Sequence, residues 1–322
     1  LKGMVIKMKK VLRKVKQKVN DSKKLHNLKR AMKFEIADAG MSDELSALLL
    51  CHSLEKGMGL ENVRKGFGQE KAASLTGVLN RMQTCDSYEY REGMSVLRAW
   101  ILYSKSQGVD VSSIEEKYNS LMSCKGYEEN KAGYEIYDPY KDVYNNINLQ
   151  CVEDFIKGRH SVRTFKKAPV SSEIMNKVLE LAACAPSACN RQPSKVYWTS
   201  QSDKVVELDK LVPGNKGFEN AIPNWAIITS NRRLFGRTES LHWYVNGGIF
   251  VAYFVNALQA HGLGSCIFQI PITFETIPQI RKIANIPDNE AIVCMVGFGY
   301  PKESLKHIMA DRRKNSEIGT QF

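Results

Sequence analysis

Hydrophobic periodicity changes character once along the 322-residue chain, and that change constrains the fold more than any other feature. Across residues 34–122 apolar positions recur every three to four residues, in segments 43–56, 70–80, 87–106 and 113–122 separated by glycine-containing turns. A small all-α unit is predicted. Residues 124–150 are rich in Gly, Asn, Asp and Tyr and carry the turn-forming Asp138-Pro139, which suits a connecting segment. From residue 151 helical periods alternate with short apolar runs: a helix at 151–157, another starting near Ser171, strands at 196–199 and 225–229, a long helix at 239–261, and strands near 265–270 and 291–297. This alternation predicts a layered α/β or α+β unit. The long helix is apolar on nearly every side, so it is expected to be buried all round, a pattern common at subunit interfaces. Gly247-Gly248 weakens it by about 1 kcal/mol per glycine unless close packing needs the space.

The net charge of +12 is not spread over the surface. Residues 1–33 hold thirteen Lys and Arg against Asp21, and the remaining chain is neutral overall. Met4, Met8, Val11, Leu12, Val15 and Val19 form one apolar stripe among those cations, so 1–33 is predicted to be a basic amphipathic helix. It could lie on an anionic membrane surface or pack its stripe on the protein. No RNP sheet or zinc-finger pattern accompanies the charge, so no nucleic-acid partner is expected. The eight cysteines include no CxxC pair and no zinc-ligand spacing, which predicts a reduced, metal-free chain. No apolar run is long enough to span a membrane, and the start lacks the apolar core and cleavage site of a signal peptide. A cytoplasmic protein is expected, at most peripheral at the inner face of the membrane. The first residue is Leu, not Met, so residues ahead of it are allowed for.

Two stretches carry the chemistry. In Gly158-Arg159-His160-Ser161-Val162-Arg163-Thr164-Phe165, Gly158 is placed to end the preceding helix. If the residues after it are extended, Arg159, Ser161 and Arg163 share one face. Two guanidinium forks flanking a hydroxyl suit a phosphate or a flavin edge; a solvent-exposed turn would use the same residues. In Ala185-Pro186-Ser187-Ala188-Cys189-Asn190-Arg191-Gln192-Pro193, the prolines stiffen both ends of a polar loop. Asn190 and Gln192 each present a donor and an acceptor. In the helical unit, His52–Gly57 followed by Arg64–Gly68 is either a lid over a site or a plain helix end, with Gly57 as a left-handed terminator and Lys56 complementing the helix dipole.

Taken together, the R-x-S-x-R-x-F run and the P-S-x-x-N-x-Q-P loop, in this order and separated by one helix, resemble the FMN-dependent nitroreductase family. The likeness continues through His261-Gly262-Leu263-Gly264, Ser265-Cys266-Ile267-Phe268 and Val296-Gly297-Phe298-Gly299-Tyr300-Pro301 and covers about 170 residues. It implies an α+β fold with a central sheet flanked by helices, preceded here by the small all-α unit. The organisation expected is a basic helix at 1–33, a helical unit with linker at 34–145 and the FMN-binding unit at 146–322. The resemblance further implies a homodimer with FMN at the subunit interface. Arg159, His160, Ser161 and Arg163 would reach the phosphate and the pyrimidine side, and Pro186, Ser187, Asn190 and Gln192 would approach from the loop. Phe268, Gln269 and Ile270 would lie near the reacting edge, with Arg312 and Arg313 adding a further phosphate-binding base. No catalytic side chain is implied, because the cofactor carries the hydride chemistry with NADH or NADPH as donor and a small molecule as acceptor. Asn246-Gly247-Gly248, where many relatives carry an acidic residue, and Gln269-Ile270-Pro271, where they often have Gly, depart from the family and leave the substrate side open.

Three functions are compatible with these residues. The first is an NAD(P)H-driven reductase of a nitro, quinone or enone-like acceptor, working by ping-pong hydride transfer. The second is a flavin oxidase or dehydrogenase acting on a biosynthetic intermediate. The third is a non-catalytic scaffold on the same fold, brought to a membrane by residues 1–33.

Overall fold

The computed structural model describes residues 42–82, 84–123, 130–212, 214–239, 241–269, 276–306 and 308–322, together with the exposed helical residues Lys14, Gln17, Lys18 and Ser22. The rest of the expected basic helix lies outside the described residues, as does Ile270.

Helices α1 (Asp43–Met58), α2 (Gln69–Arg81), α3 (Tyr88–Ser106) and α4 (Ser112–Leu121) fall on the four predicted segments. Serine caps start two of them: Ser42 Oγ accepts from Leu45 N at 3.0 Å and Ser87 Oγ from Tyr90 N at 3.2 Å. Their apolar faces meet in one core that buries Leu54, Leu75, Leu79, Met94, Leu97 and Trp100. Each such side chain is worth about 1.5–3 kcal/mol of burial. Gly57 does not terminate α1, which continues to Met58; the Phe67 ring packs where a Cβ at Gly57 would stand. Trp100 Nε1 donates to the Phe67 carbonyl at 3.1 Å, so the 64–68 turn is tied into the helical core. The reduced-chain expectation fails at Cys85, which is disulfide-bonded, while Cys51, Cys151, Cys184, Cys189, Cys266 and Cys294 are free. No CxxC spacing marks that bond in the sequence.

The second half contains α5 (Leu149–Lys157), α6 (Ser172–Ala182), β1 (Ser194–Thr199), α7 (Ser202–Asp209), β2 (Asn224–Asn231), α8 (His242–Ala260), β3 (Gly264–Phe268), α9 (Thr276–Ala284) and β4 (Glu290–Gly299). The strands form one antiparallel sheet in the order β1-β2-β4-β3. Alternate residues of β2 point to opposite faces: Ala226 and Ile228 meet α6 and α8, whereas Trp225 and Ile227 meet α7 and α9. A sheet covered by helices on both faces gives the α+β architecture expected. Helices α7 and α9, absent from the sequence reading, are short and carry polar residues through their apolar pattern.

Helix α8 departs from expectation. Trp243, Val251, Phe254, Val255 and Leu258 are buried, but Leu241 just before the helix and Val245, Ile249 and Tyr253 within it form an exposed stripe, 37–59% accessible. Their spacing of four residues places them on one side, facing away from the sheet that buries the other. Gly247 admits Val293 of β4, whose Cγ2 lies 2.4 Å from where a Cβ would stand, whereas Gly248 faces open space. The two halves of the chain meet where Leu48 of α1 packs with Leu234, Phe235, Trp243 and Ala291, flanked by Tyr88 and Tyr244. Among the described residues no helix is long and apolar enough to cross a membrane.

Candidate functional site

Residues 159–165 run past the edge of the sheet. Val162 N donates to the Ser265 carbonyl at 2.9 Å, and Ser161 and Phe165 form bridges to Ser265 and Pro301. This approach requires Gly264 in β3, because a Cβ there would come within 2.7–2.9 Å of the Val162 side chain. Arg159, Ser161 and Arg163 line a cleft of about 210 Å3 together with His160, Ile308, Ala310 and Arg312. A larger cleft of about 440 Å3 adjoins it, sharing Arg159, His160, Ser161 and Arg163 and adding Lys306 and the 262–265 backbone. Among the described residues no carboxylate lines either cleft. Cys266 registers the local field: burial pushes its thiol up, while Arg163, a hydrogen bond from Ser161, and Arg159 pull it down. Such a donor set, all cationic or hydroxylic, fits an anionic phosphate.

The second stretch forms a strained loop. Cys189, Asn190 and Gln192 all adopt left-handed backbone, with φ of 51°, 51° and 48°. For residues with a Cβ this costs about 1 kcal/mol each or more, and it persists only where the surroundings over-determine the chain. Here they do. Ser187 Oγ accepts from Gln192 N at 2.9 Å, and Asn246 Oδ1 of α8 accepts from Ala188 N at 2.8 Å. Buried Arg191 binds both oxygens of Glu239 at 2.8 Å and the Leu234 carbonyl at 2.9 Å, with its guanidinium 5.5 Å from the Phe235 ring centroid. Burial opposes the Arg191 charge, and the Glu239 carboxylate more than offsets it; in return Arg191 holds Glu239 below the usual carboxylate range. Gln192 Nε2 donates to Tyr88 Oη of α3 at 2.7 Å.

Pro186, Ser187 and Gln192 line a separate pocket of about 100 Å3 with Asn246 and Phe250, and this pocket shares no residue with the arginine clefts. One copy of the chain therefore gathers Arg159, His160, Ser161, Arg163 and Arg312 in one place and the loop residues in another. Asn190 is exposed at the loop tip, and Arg313, also exposed, lines neither cleft. Phe268 is buried against Trp225 and Phe218, at ring separations of 5.1 and 6.0 Å, which leaves only its backbone for a ligand. Gln269 is exposed at the end of β3. Residues 52–68 are not among the described residues that line these spaces, and Leu54, Met58 and Phe67 pack in the helical core. Arg191, Glu239, Asn246 and Tyr88 went unread as site-building residues. Asn246 alone left a trace, as a polar residue in an apolar helix.

Comparison with known proteins finds several similarities. Residues 156–216 and 235–300 match the model of the nitroreductase family. An NADH dehydrogenase of Thermus thermophilus is 26% identical over 177 residues, covering 45% of this chain and 84% of the relative. A 4-nitrobenzoate reductase of a Nocardioides species is 22% identical, covering 52% of this chain and 87% of its own length. Among solved structures, an FMN-dependent nitroreductase of Clostridium difficile aligns with a TM-score of 0.43 at 22% identity, over 53% of this chain and 98% of that one.

Proposed function

We propose, from the match of residues 156–216 and 235–300 to the nitroreductase family model, that the protein is an FMN-dependent oxidoreductase driven by NADH or NADPH. The observation that carries the reading is the cleft where Arg159, Ser161, Arg163 and Arg312 converge without a carboxylate among the described residues. Arg159, Ser161 and Arg312 would hold the phosphate through charge-assisted hydrogen bonds, with His160 at the rim. Arg163, in the same cleft, would offset negative charge on the pyrimidine edge by fixed electrostatics. The flavin, when bound, supplies the hydride chemistry, in alternate turns with a nicotinamide and with a small organic acceptor such as a nitro, quinone or enone-like compound. Gln269 and the backbone of Phe268 would border the acceptor side.

The separation of the two motif clefts within one chain supports a homodimer. The stripe Leu241, Val245, Ile249 and Tyr253, together with Ile267 of β3, offers an apolar face that a second copy would cover. Paired through it, the loop of one copy would meet the arginine cleft of the other. The test is the absorbance spectrum of the purified protein, with release and identification of any flavin, followed by anaerobic mixing with NADPH and with NADH. A yellow protein whose colour is bleached by a nicotinamide supports the proposal. Protein that is colourless and takes up no added FMN overturns it.

A further inference from the structure

The loop that carries Asn190 and Gln192 is not held by its own half of the chain alone. Tyr88, at the first position of α3 in the helical unit, receives the hydrogen bond from Gln192 Nε2, across 104 residues of sequence. The same amide nitrogen lies 3.4 Å from Asn190 Oδ1. Each side chain therefore keeps one polar atom outside that contact, Oε1 of Gln192 as an acceptor and Nδ2 of Asn190 as a donor. A donor and an acceptor side by side match the alternating groups along the imide edge of a flavin ring.

We propose that Tyr88 is a positioning residue of the flavin site: it sets the Gln192 amide, and through it Asn190, so that the helical unit forms one wall of the site. The inference rests on the flavin reading above. Two observations beyond the hydrogen bond support it. The loop is left-handed at three residues with side chains, so its conformation depends on external ties. The Tyr88 ring is also fixed in place, at the edge of the cluster where Leu48 packs on Leu234, Phe235 and Trp243. A phenol so anchored differs from a surface tyrosine that meets an amide in passing.

The experiment compares the full-length protein with Tyr88→Phe, Gln192→Met and the double variant. FMN affinity is measured by titration of fluorescence quenching, and the visible absorbance envelope of the bound flavin is recorded. Removing one neutral hydrogen bond of about 1 kcal/mol is expected to weaken FMN binding about fivefold in Tyr88→Phe. The absorbance envelope should shift, since the polar contacts at the ring edge change, whereas a purely structural tyrosine would leave it alone. The double variant should bind no worse than Gln192→Met, because Tyr88 acts only through that amide. Unchanged affinity and spectrum in Tyr88→Phe, or losses that add in the double variant, would overturn the inference. If Tyr88→Phe does not fold, Gln192→Met in the otherwise unaltered chain decides the matter: it keeps the side-chain length but can neither donate to nor accept from the Tyr88 hydroxyl, and unaltered FMN affinity and flavin spectrum then contradict the proposal. A wild-type protein that binds no FMN would instead defeat the parent reading, and a Tyr88 result cannot be mistaken for that outcome.

Discussion

Arg159 and Glu55 show two opposite ways of placing a charge. Arg159 is half-buried at the wall of the arginine cleft, beside Ser161, with no carboxylate among the described residues that line that cleft. Its charge is available to a ligand. Arg159→Ala is expected to weaken FMN binding by about ten- to a hundredfold, the worth of a charge-assisted hydrogen bond, as read by equilibrium dialysis. Glu55 sits within α1, where burial first and then the neighbouring Glu92 raise its carboxyl from 4.5 to about 7. Glu92 is raised as well, by burial, against a hydrogen bond from Asn130. A carboxyl whose folded value lies above its unfolded one stabilises the fold only while protonated, so its contribution is present below about pH 4.5 and is lost as the pH rises through 7. Glu55→Gln should therefore flatten the fall in stability between pH 5 and 8. At pH 8 it should raise the unfolding free energy by on the order of 2 kcal/mol, measured by urea denaturation. An identical pH slope in both proteins would count against this account of Glu55.

At the scale of elements, α8 joins the fold to the proposed dimer face. Its inner face fills the core with Phe254, Val255 and Leu258, while Val245, Ile249 and Tyr253 remain accessible. Val245→Asp places a charge in the proposed dimer face, at a position exposed in the single chain. It should leave the monomer folded, convert the protein to monomers in sedimentation velocity, and lower flavin retention in the same sample. A dimer that survives this change would place the interface elsewhere. The element pattern was largely legible in the sequence: all four strands and the four N-terminal helices follow from periodicity and the turns between them. The exposed stripe of α8 was not, because a helix apolar on every side reads the same whether its last face meets the protein or a partner. The loop at 186–193 was legible as a stiff polar segment. Its strain and its tie to Arg191 and Glu239 were not, since left-handed residues other than glycine and a pair 48 residues apart leave no local signal.

Taken as a whole molecule, the chain joins a helical unit with its own core to an α+β region with helices on both faces of its sheet. The contact between them runs through Leu48 and Tyr88 and bears on the loop proposed to face the flavin. The R-x-S-x-R run stood out in the sequence, and the folded chain gathers Arg159, Ser161 and Arg163 in one cleft; the addition of Arg312 needed the folded chain. The contribution of the helical unit carried no motif at all. The central claim is that this cleft holds FMN, and the most direct measurement is titration of the purified, flavin-stripped protein with FMN, followed by its visible absorbance. Saturable uptake of one FMN per chain, abolished or strongly weakened in the Arg159→Ala and Arg163→Ala double variant, is the expected result. Absence of uptake by the wild-type protein, or uptake indifferent to both arginines, would contradict it.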